Sequence, residues 1–436
     1  MSPGTVRRAA FAGLAIALIV FAARLTSAPK KERDYYDYFD ELAKVIDQIE
    51  DNYVEEADQQ KLFQGAIEGM LRELDPYSAY IPPDMYRIFQ EDTQGYFGGL
   101  GITIGIQDDQ LTVIAPLEGT PAARAGILPG DKIVRIEGEG TEAMSLLDAV
   151  NKLRGEPGTS VTMTIRHRGA EEEVDVTLTR EIIPIHSVRG YRRLANGQGW
   201  DYWVKPEEKI AYIRLSAFQE NTVAELDEAA KKVIAEGARG LVLDLRNNPG
   251  GLLGSAVAVA DRFLHDGVIV SIRGRAVGTK EERAHPEDDY PQSLLVAVLV
   301  NRYSASGSEI VAGALQDHGR AVLLGDETFG KGSVQNVIPL KDDNSAIKLT
   351  TARYYTPSGR SFERDPKTKK GGLVPDILIP STDEQIRQLH LQWQQLSLDV
   401  KEAPKPPEAK EPFVDIQLQQ AVNLLIGLQV VHSSGG

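Results

Sequence analysis

The sequence predicts a mixed α/β fold whose largest part is built on a mainly parallel sheet. Apolar strands alternate with helices from residue 209 onward, beginning with a strand at 209–215, a helix at 223–236 and a strand at 240–245. Such alternation requires crossover connections, which join parallel strands. Before this part, short strands and glycine turns fill residues 96–180, about the size of one small domain. We therefore expect a parallel-sheet core, a smaller strand-rich domain and helical segments at both ends.

Length, charge and cysteine content limit the function. At 436 residues, the chain is long enough for about two to four compact units. A net charge of −15 argues against nucleic acid and anionic membrane surfaces as partners. The absence of cysteine excludes a cysteine nucleophile, a cysteine-ligated zinc site, disulfides and a lipid-modified N-terminal cysteine. The histidines show no metal-binding spacing, so we expect neither a metal nor a cofactor.

Residues 1–28 have the pattern of an export signal. Arg7 and Arg8 precede the uncharged, mostly apolar residues 9–23, and small residues follow at 26–28. Pro29 is a poor residue after a cleavage point, so retention as an N-terminal anchor stays an alternative, although the apolar run is short for a full membrane span. In both cases the bulk of the chain is exported, and the expected location is the periplasm or cell envelope.

Helical segments are predicted at both ends of the exported chain. Residues 29–93 carry apolar residues at helical spacing in two stretches, the second of which ends at Asp75-Pro76. Residues 381–436 contain two more predicted helices, at 383–396 and 414–431. Apolar helix faces serve packing or self-association, so we expect a homo-oligomer.

Three loops are predicted to meet at the carboxyl edge of the parallel sheet, after residues 245, 300 and 325. The second loop holds Ser306 at a helix start, and the third holds Lys331 between two glycines. A serine and a lysine in such positions are the two parts of a nucleophile and base pair. Residues 306–309 also form a Ser-x-x-Glu capping box, which on local grounds explains the serine better than catalysis does. The two interpretations of Ser306 are compatible, because a helix cap and a nucleophile at this position both require a helix that begins at this serine.

Catalysis by this pair makes demands on both residues. A helix N-terminus offers backbone N–H groups and a positive dipole end to a developing oxyanion. Lysine acts as a base only when neutral, so Lys331 must be desolvated enough for its pKa to fall well below the ordinary value. Gln335 is a neutral partner that can orient the amine without charging it, whereas a nearby carboxylate would raise the pKa.

Other catalytic motifs fit poorly. GxSxG is absent because Ser304 stands where the first glycine is required. A phosphate-binding GxxxxGKS/T pattern starts at Gly325 but has Gly332 in place of serine or threonine. A Ser-His-Asp triad that uses His318 stays open as an alternative, although His318 lies about one helix away from Ser306.

Four glycine-containing motifs occur in order within residues 94–181. They are Gly98-Gly99-Leu100-Gly101-Ile102, Pro121-Ala122-Ala123-Arg124-Ala125-Gly126-Ile127, Pro129-Gly130-Asp131-Lys132-Ile133 and Leu153-Arg154-Gly155. In this order they resemble a PDZ domain, in which converging N–H groups bind a terminal carboxylate and the peptide adds as an extra strand. The resemblance implies that peptides are bound by Gly99, Leu100, Gly101, Ile102 and Arg154.

Three longer motifs occupy the loops of the predicted core. They are Asp244-Leu245-Arg246-Asn247-Asn248-Pro249-Gly250-Gly251, Ser304-Ala305-Ser306-Gly307-Ser308-Glu309-Ile310 and Thr328-Phe329-Gly330-Lys331-Gly332-Ser333-Val334-Gln335. With the export signal, the helical segment and the PDZ domain, they make nearly the whole chain resemble the carboxyl-terminal processing (tail-specific) protease family. The resemblance implies a ClpP/crotonase-like αβ protease core with a cap at residues 182–380, between the PDZ domain and a C-terminal oligomerisation segment.

The resemblance also implies a role for each site residue. The nucleophile, the base and the support of the base are Ser306, Lys331 and Gln335. The oxyanion donors are the N–H of Gly307 and one N–H of the Pro-Gly-Gly turn, where Gly251 is slightly favoured over Gly250.

Two further features follow from the same resemblance. Asp317 corresponds to an aspartate with a structural role near the site. The usual SASAS run of the family is SASGS here, because glycine replaces alanine at residue 307. This keeps the oxyanion N–H and loosens the turn.

We therefore predict an exported serine endopeptidase that cleaves proteins near their carboxyl termini. Its PDZ domain is expected to capture the terminal residues of a substrate and, when empty, to hold the site misaligned. An activating adaptor protein is among the expected partners. Two other functions stay open: a PDZ scaffold on an inactive core, and a Ser-His hydrolase of small esters.

Overall fold

The structure is a computed structural model that describes residues 34–117, 119–194, 199–287, 289–340, 344–397 and 413–434. The predicted export segment, residues 1–28, lies outside the described residues. The described chain falls into two compact units that divide between Glu73 and Leu74. Within the described ranges, no helix combines the length and the apolar character that a membrane crossing requires.

The first unit contains the two predicted N-terminal helices, α1 (Tyr35–Asn52) and α2 (Gln59–Arg72). An aspartate caps each of them: Asp34 accepts from the amide of Tyr35 at 2.7 Å, and Asp58 accepts from that of Lys61 at 3.2 Å. The apolar stripe of α1 is largely solvent-exposed, with Phe39 at 65%.

The second unit opens with strand β1 (Ala79–Ile81) and helix α3 (Pro83–Gln94), so the segment predicted as helical also contains a strand. The small strand-rich domain follows. Its elements are β2 (Tyr96–Gly99), β3 (Ile102–Gln107), β4 (Gln110–Pro116), α4 (Pro121–Arg124), β5 (Lys132–Ile136), β6 (Glu139–Gly140), α5 (Leu146–Leu153), β7 (Ser160–Arg166), β8 (Glu173–Thr179) and β9 (Glu181–Pro184). The antiparallel sheet has the order β3-β4-β5-β7-β8, with β6 paired to β5. Because β3 is an edge strand, a peptide can pair with it as a further strand.

The core is built on a seven-stranded sheet of order β10-β14-β15-β18-β19-β22, with β13 paired to β14. The five strands from β14 to β22 in this order are parallel, which confirms the predicted mixed α/β fold. The strands of this sheet are β10 (Val188–Arg189), β13 (Trp203–Lys205), β14 (Ile210–Leu215), β15 (Gly240–Asp244), β18 (Leu295–Val300), β19 (Val322–Gly325) and β22 (Ile377–Leu378). A short hairpin of β11 (Arg192–Arg193) and β12 (Trp200–Asp201) lies between β10 and β13 in the chain.

Helices cover both faces of this sheet, as a parallel sheet requires. They are α6 (Thr222–Ala235), α7 (Leu253–Asp261), α8 (Gly307–Asp317), α9 (Asp383–Ser397) and α10 (Ile416–Ser434), and a 3-10 turn spans Pro206–Glu208. Helices α6, α7 and α8 pack on the face that carries Ile213 and Leu243, and α10 packs on the other face through Ala421 and Leu425. Part of the apolar pattern of the C-terminal segment is therefore used within the chain's own core.

A second, antiparallel sheet lies beside the core and has the order β1-β21-β16-β17, with β20 paired to β21. Its remaining strands are β16 (Val268–Gly274), β17 (Gly278–Arg283), β20 (Ser333–Pro339) and β21 (Ala346–Tyr355). Strand β20 begins directly after the lysine loop, and β1 pairs with the other edge of β21. This sheet therefore brings residues 75–81 close to the predicted base.

Candidate active site

Ser306 lies in the turn between β18 and α8, at the carboxyl edge of the parallel sheet. Its backbone has φ 53° and ψ −111°, a conformation that residues other than glycine rarely adopt. The hydroxyl of Ser304 fixes the turn, since it donates to the carbonyl of Leu245 at 2.8 Å and accepts from the amide of Asn301 at 2.9 Å. A strained residue held by its surroundings is a common feature of functional sites.

The loop after β15 packs against the same turn. The carbonyl of Asn248 accepts from the amide of Ala305 at 3.0 Å and from the hydroxyl of Ser308 at 2.9 Å. The first two of the three predicted loops therefore meet at the sheet edge, with Ser306 between them.

Glu309 joins the serine turn to the lysine loop. The Oε1 atom of this buried carboxylate accepts from the hydroxyl of Thr328 at 2.5 Å and the amide of Gly330 at 2.7 Å. Its Oε2 atom accepts from the amides of Ser306 at 2.9 Å and Lys331 at 2.8 Å. One oxygen atom thus bridges the two predicted catalytic residues, whose amide nitrogens are at most about 6 Å apart, the sum of these distances. Burial raises the pKa of Glu309, and the four hydrogen bonds oppose the rise.

Lys331 is half-buried, and its amine lies 5.4 Å from the centre of the Tyr77 ring. Burial lowers the pKa of Lys331, and the charge of Lys348 lowers it further. The carboxylates of Glu309 and Glu363 act in the opposite direction without reversing the result. A lysine that acts as a general base requires a lowered pKa, which is the direction found for Lys331.

Glu363 is a second carboxylate near the lysine loop. Its Oε2 atom is buried and has no hydrogen-bond partner among the described residues. Burial raises the pKa of Glu363. The carboxyl group therefore ionises less readily than an ordinary glutamate, and when ionised it acts to raise the pKa of Lys331.

Gln335 braces the segment that covers the predicted base. Its amide nitrogen donates to the hydroxyls of Ser333 at 2.7 Å and Thr350 at 3.4 Å. Thr350 donates to Asp75 at 3.1 Å, and the same carboxylate oxygen accepts from the amide of Tyr77 at 2.8 Å. Among the described residues, this series of hydrogen bonds ends at the amide of Tyr77, whose ring centre lies 5.4 Å from the amine of Lys331. The sequence suggested a direct contact, and the structure shows an indirect one.

The predicted oxyanion residues come together beside Ser306. The amide of Gly250 donates to the side chain of Asn248 at 2.9 Å, so this N–H is already engaged. The amides of Gly251 and Gly307 donate to no acceptor within the described ranges. A Cβ atom on Gly250 would lie 2.9 Å from the nitrogen of Gly307, so the two turns are in close contact. This arrangement favours Gly251 over Gly250 as the second donor.

Asp317 and His318 lie at the opposite end of α8 from Ser306. Asp317 accepts from the amide of Ser358 at 2.9 Å and pairs with Arg360, which anchors the loop after β21. His318 follows directly, and its Nε2 atom contacts the carbonyl of Val268 at 2.7 Å. A helix of this length separates its ends by about 16 Å. His318 and Ser306 therefore do not form the alternative triad.

The predicted peptide groove is a cavity of about 850 Å³ that includes residues 100–102, helix α5 and Arg154 in its lining. Gly99 lies next to the lining, in β2. Arg154 forms an ion pair with Glu91 of α3 at 2.6 Å, and its guanidinium lies 4.4 Å from the centre of the Phe97 ring. An ion pair thus connects the PDZ groove to α3, the helix that directly follows β1.

Three residues of the site could not be recognised from the sequence as parts of it. Glu309 was visible only as the last residue of a capping box, and its bonds to the lysine loop are long-range. Tyr77 follows an Asp-Pro pair that indicated the end of a helix, and nothing local shows that it covers a lysine. Glu363 belongs to a charged loop without a distinguishing pattern.

Comparison with known proteins agrees with this architecture. Residues 209–379 match the model of peptidase family S41, residues 112–167 match that of a PDZ domain, and residues 18–84 match that of the activating protease CtpB N-terminal domain. The carboxy-terminal-processing protease of Bartonella bacilliformis is 37% identical over 97% of this chain and 95% of that protein. The carboxy-terminal processing protease CtpB of Bacillus subtilis is 33% identical over 83% of this chain and 72% of that protein. Among solved structures, the photosystem II D1 C-terminal processing protease is 29% identical, covers 83% of this chain and 92% of its own, and has a TM-score of 0.43.

The fold and the matches define a PDZ-containing protease of the serine type. The chain belongs to the carboxyl-terminal processing protease family, within peptidase family S41.

Proposed function

We propose that the protein is an exported endopeptidase that cleaves protein substrates near their carboxyl termini with Ser306 as nucleophile and Lys331 as general base. The observation that carries this proposal is the Glu309 bridge, which holds the strained serine turn and the lysine loop together. The lowered pKa of Lys331 and the position of Ser306 at a helix N-terminus support this proposal, because nucleophilic catalysis without histidine requires a neutral base and an activated serine.

The proposed reaction has two stages, acylation of Ser306 and hydrolysis of the acyl-enzyme. Neutral Lys331 takes the proton of Ser306 Oγ as the oxygen attacks the scissile carbonyl carbon. The developing oxyanion accepts hydrogen bonds from the amides of Gly307 and Gly251, next to the positive end of α8. The lysine ammonium then gives its proton to the leaving amine. The amine of Lys331, neutral again, then activates a water molecule, which hydrolyses the acyl-enzyme and frees Ser306.

Substitution of the pair tests the chemistry. Purified protein should cleave casein or a fluorogenic peptide with a free carboxyl terminus, and Ser306→Ala and Lys331→Ala should each reduce kcat by at least about 1,000-fold. Ser293→Ala and Lys367→Ala change exposed residues outside the site and serve as matched controls. Cleavage that survives in either site variant, with unchanged thermal unfolding, would refute the Ser/Lys pair.

The proposal extends to regulation by the PDZ domain. We infer that substrate carboxyl termini bind beside residues 100–102, because β3 is an edge strand there and the amides of Leu100 and Gly101 donate to no acceptor within the described ranges. The ion pair between Arg154 and Glu91 supports gating, since it connects the groove to the polypeptide that leads back to Tyr77.

Location and assembly complete the proposal. Export to the periplasm or cell envelope is inferred from the sequence of residues 1–28, and self-association from the exposed apolar residues of α1. An activating adaptor protein is proposed as a further partner. Fractionation of cells and light scattering of the purified protein test the first two points.

A further inference from the structure

The cavity that holds the PDZ groove continues along the surface of the core. Beyond the side chains of β3 and α5, its lining includes Arg189, Arg193, Trp200 and Tyr202. These residues belong to β10 and to the chain that follows it, and so to the protease core. A peptide that pairs with β3 and extends beyond the PDZ domain would therefore pass basic and aromatic side chains of the core.

Arg189 is a partly buried guanidinium that lies 5.7 Å from the centre of the Trp200 ring but pairs with no carboxylate in the described ranges. Its strand pairs with β14 so that Arg189 lies opposite Arg214, and Arg193 lies on the next short strand. Within the described ranges, Arg189 forms no ion pair and its side chain donates no hydrogen bond. Burial lowers the pKa of Arg189 to about 10, and the charges of Arg214 and Arg193 add to that effect. The protein thus maintains a cation in surroundings that disfavour it.

The acidic groups of the cavity form no ion pair with Arg189 in the described ranges, although the charge of Glu225 partly opposes the lowering of its pKa. Glu225 lines the cavity, but one of its oxygens contacts His186 Nδ1 at 2.7 Å, and the other accepts from the amides of Ser187 at 2.9 Å and Val188 at 3.1 Å. Glu228 also lines the cavity, is solvent-exposed and forms no ion pair with Arg189 in the described structure. A buried charge without a partner costs free energy, and that cost is recovered when a ligand supplies the opposite charge.

We propose that Arg189 binds an acidic side chain of the substrate, upstream of the carboxyl-terminal residue that the PDZ loop holds. The groove would then select tails that combine a free carboxyl terminus with an aspartate or glutamate at a fixed distance from it. This inference rests on the proposed binding of substrate tails in the PDZ groove. It adds a contact from the core, so that the PDZ domain and the core bind the same peptide and both contribute to its selection.

Binding of labelled peptides tests the inference in the full chain with Ser306→Ala, which prevents cleavage. The peptides end in an apolar residue with a free carboxyl group and carry one glutamate that is moved stepwise away from the terminus. Each has a matched peptide with glutamine instead. Fluorescence anisotropy should show one position at which glutamate binds about tenfold more tightly than glutamine, as expected for a charge-assisted hydrogen bond.

Two variants test whether Arg189 causes the preference for glutamate. Arg189→Gln should reduce the difference between glutamate and glutamine peptides to less than about twofold. Arg192→Gln removes an exposed neighbouring arginine that pairs with Asp201, and it should leave the preference unchanged. Unaltered affinity of the glutamine peptides shows that each variant is folded.

Different results would overturn different claims. If no glutamate position improves binding, or if the preference survives in Arg189→Gln, the role of Arg189 is wrong while tail binding stands. Peptides with an amidated terminus measure the terminal carboxylate separately. If free and amidated peptides bind equally weakly, the proposed capture of carboxyl termini fails, and the inference about Arg189 fails with it.

Discussion

Lys331 lies between groups that act on its pKa in opposite directions. Burial lowers the pKa most, Lys348 lowers it further, and Glu309 and Glu363 raise it. Since the base is active only when neutral, kcat/KM should rise with pH as Lys331 loses its proton. The position of this rise therefore reports the balance between the neighbouring charges.

Two substitutions should move the rise in opposite directions. Glu363→Gln removes a negative charge, which lowers the pKa of Lys331, so the rise shifts to lower pH. Lys348→Gln removes a positive charge, which raises the pKa, so the rise shifts to higher pH. The measurement is kcat/KM for one peptide across pH, with the exposed Lys367→Gln as control. Shifts of the same sign in both variants would contradict a lysine base at this position.

Glu309 should matter through its hydrogen bonds. Glutamine at this position would direct an NH2 group at two of the four donors that converge on the carboxylate. Glu309→Gln should therefore loosen the lysine loop and reduce kcat by about 100-fold, with a smaller change in KM. Glu327→Gln, an exposed change in the same loop, should have no comparable effect. Equal kcat values for the two variants would remove Glu309 from the catalytic arrangement.

At the scale of elements, the sequence predicts what local chemistry determines. The strand before Ser306, the helix after it and the three loops at the sheet edge were all recognisable, because periodicity and glycines indicate them. The bonds of Glu309 to the lysine loop and the position of Tyr77 were not, since they depend on how distant strands pair. The apolar pattern of α10 shows the same limit: it predicts a buried face without telling whether the partner is a second copy or the chain's own sheet.

Helix α10 is anchored to the loop that follows β15 by a buried arginine. The guanidinium of Arg246 binds Asp244 at 2.6 Å and Asp415, the residue before α10, at 2.7 Å. Burial raises the pKa of Asp415, but the charge and hydrogen bonds of Arg246 outweigh it and hold the pKa below its ordinary value. The pair thus joins the C-terminal helix to the strand end that leads into residues 247–251.

Loss of this anchor should be visible as a pH-dependent loss of stability. Asp415→Asn keeps the helix cap but leaves Arg246 with one carboxylate, so the free energy of unfolding should fall by about 3 kcal/mol at neutral pH. Because the folded-state pKa of Asp415 is lowered, its contribution is complete above the ordinary aspartate pKa and disappears as pH falls through the folded value. The difference between variant and parent should therefore shrink below about pH 4.

Urea unfolding followed by tryptophan fluorescence measures this difference, since the Trp393 ring lies 5.6 Å from the Arg246 guanidinium. Asp383→Asn changes an aspartate that is 88% exposed, and it should alter stability by less than about 0.5 kcal/mol. If the loss of unfolding free energy in Asp415→Asn stays constant down to acidic pH, the carboxylate charge is not the cause of that loss.

At the scale of the whole second unit, the peptide groove and the predicted base are joined by a continuous series of contacts. Arg154 borders the groove and pairs with Glu91 of α3. Helix α3 follows β1, which pairs with β21, and the turn before β1 carries Tyr77 over the amine of Lys331. Displacement of Arg154 by a bound peptide would therefore act on the segment that desolvates the base. Since burial is the main cause of the lowered pKa, the proposed gating predicts that movement of Tyr77 away from Lys331 would reduce the fraction of neutral lysine.

Glu91→Gln tests this coupling, because it breaks the ion pair to Arg154 at a residue that does not itself line the groove. The substrate is an internally quenched peptide with an amidated terminus, and an uncleavable tail peptide is added in trans. The tail peptide should accelerate cleavage about tenfold in the parent protein and by less than about twofold in Glu91→Gln, with equal affinity for both. Glu181→Gln breaks an exposed ion pair to Arg124 elsewhere on the PDZ domain and should keep the full stimulation. If Glu91→Gln responds like the parent protein, the signal does not travel through α3, and the PDZ domain acts on the site by another route.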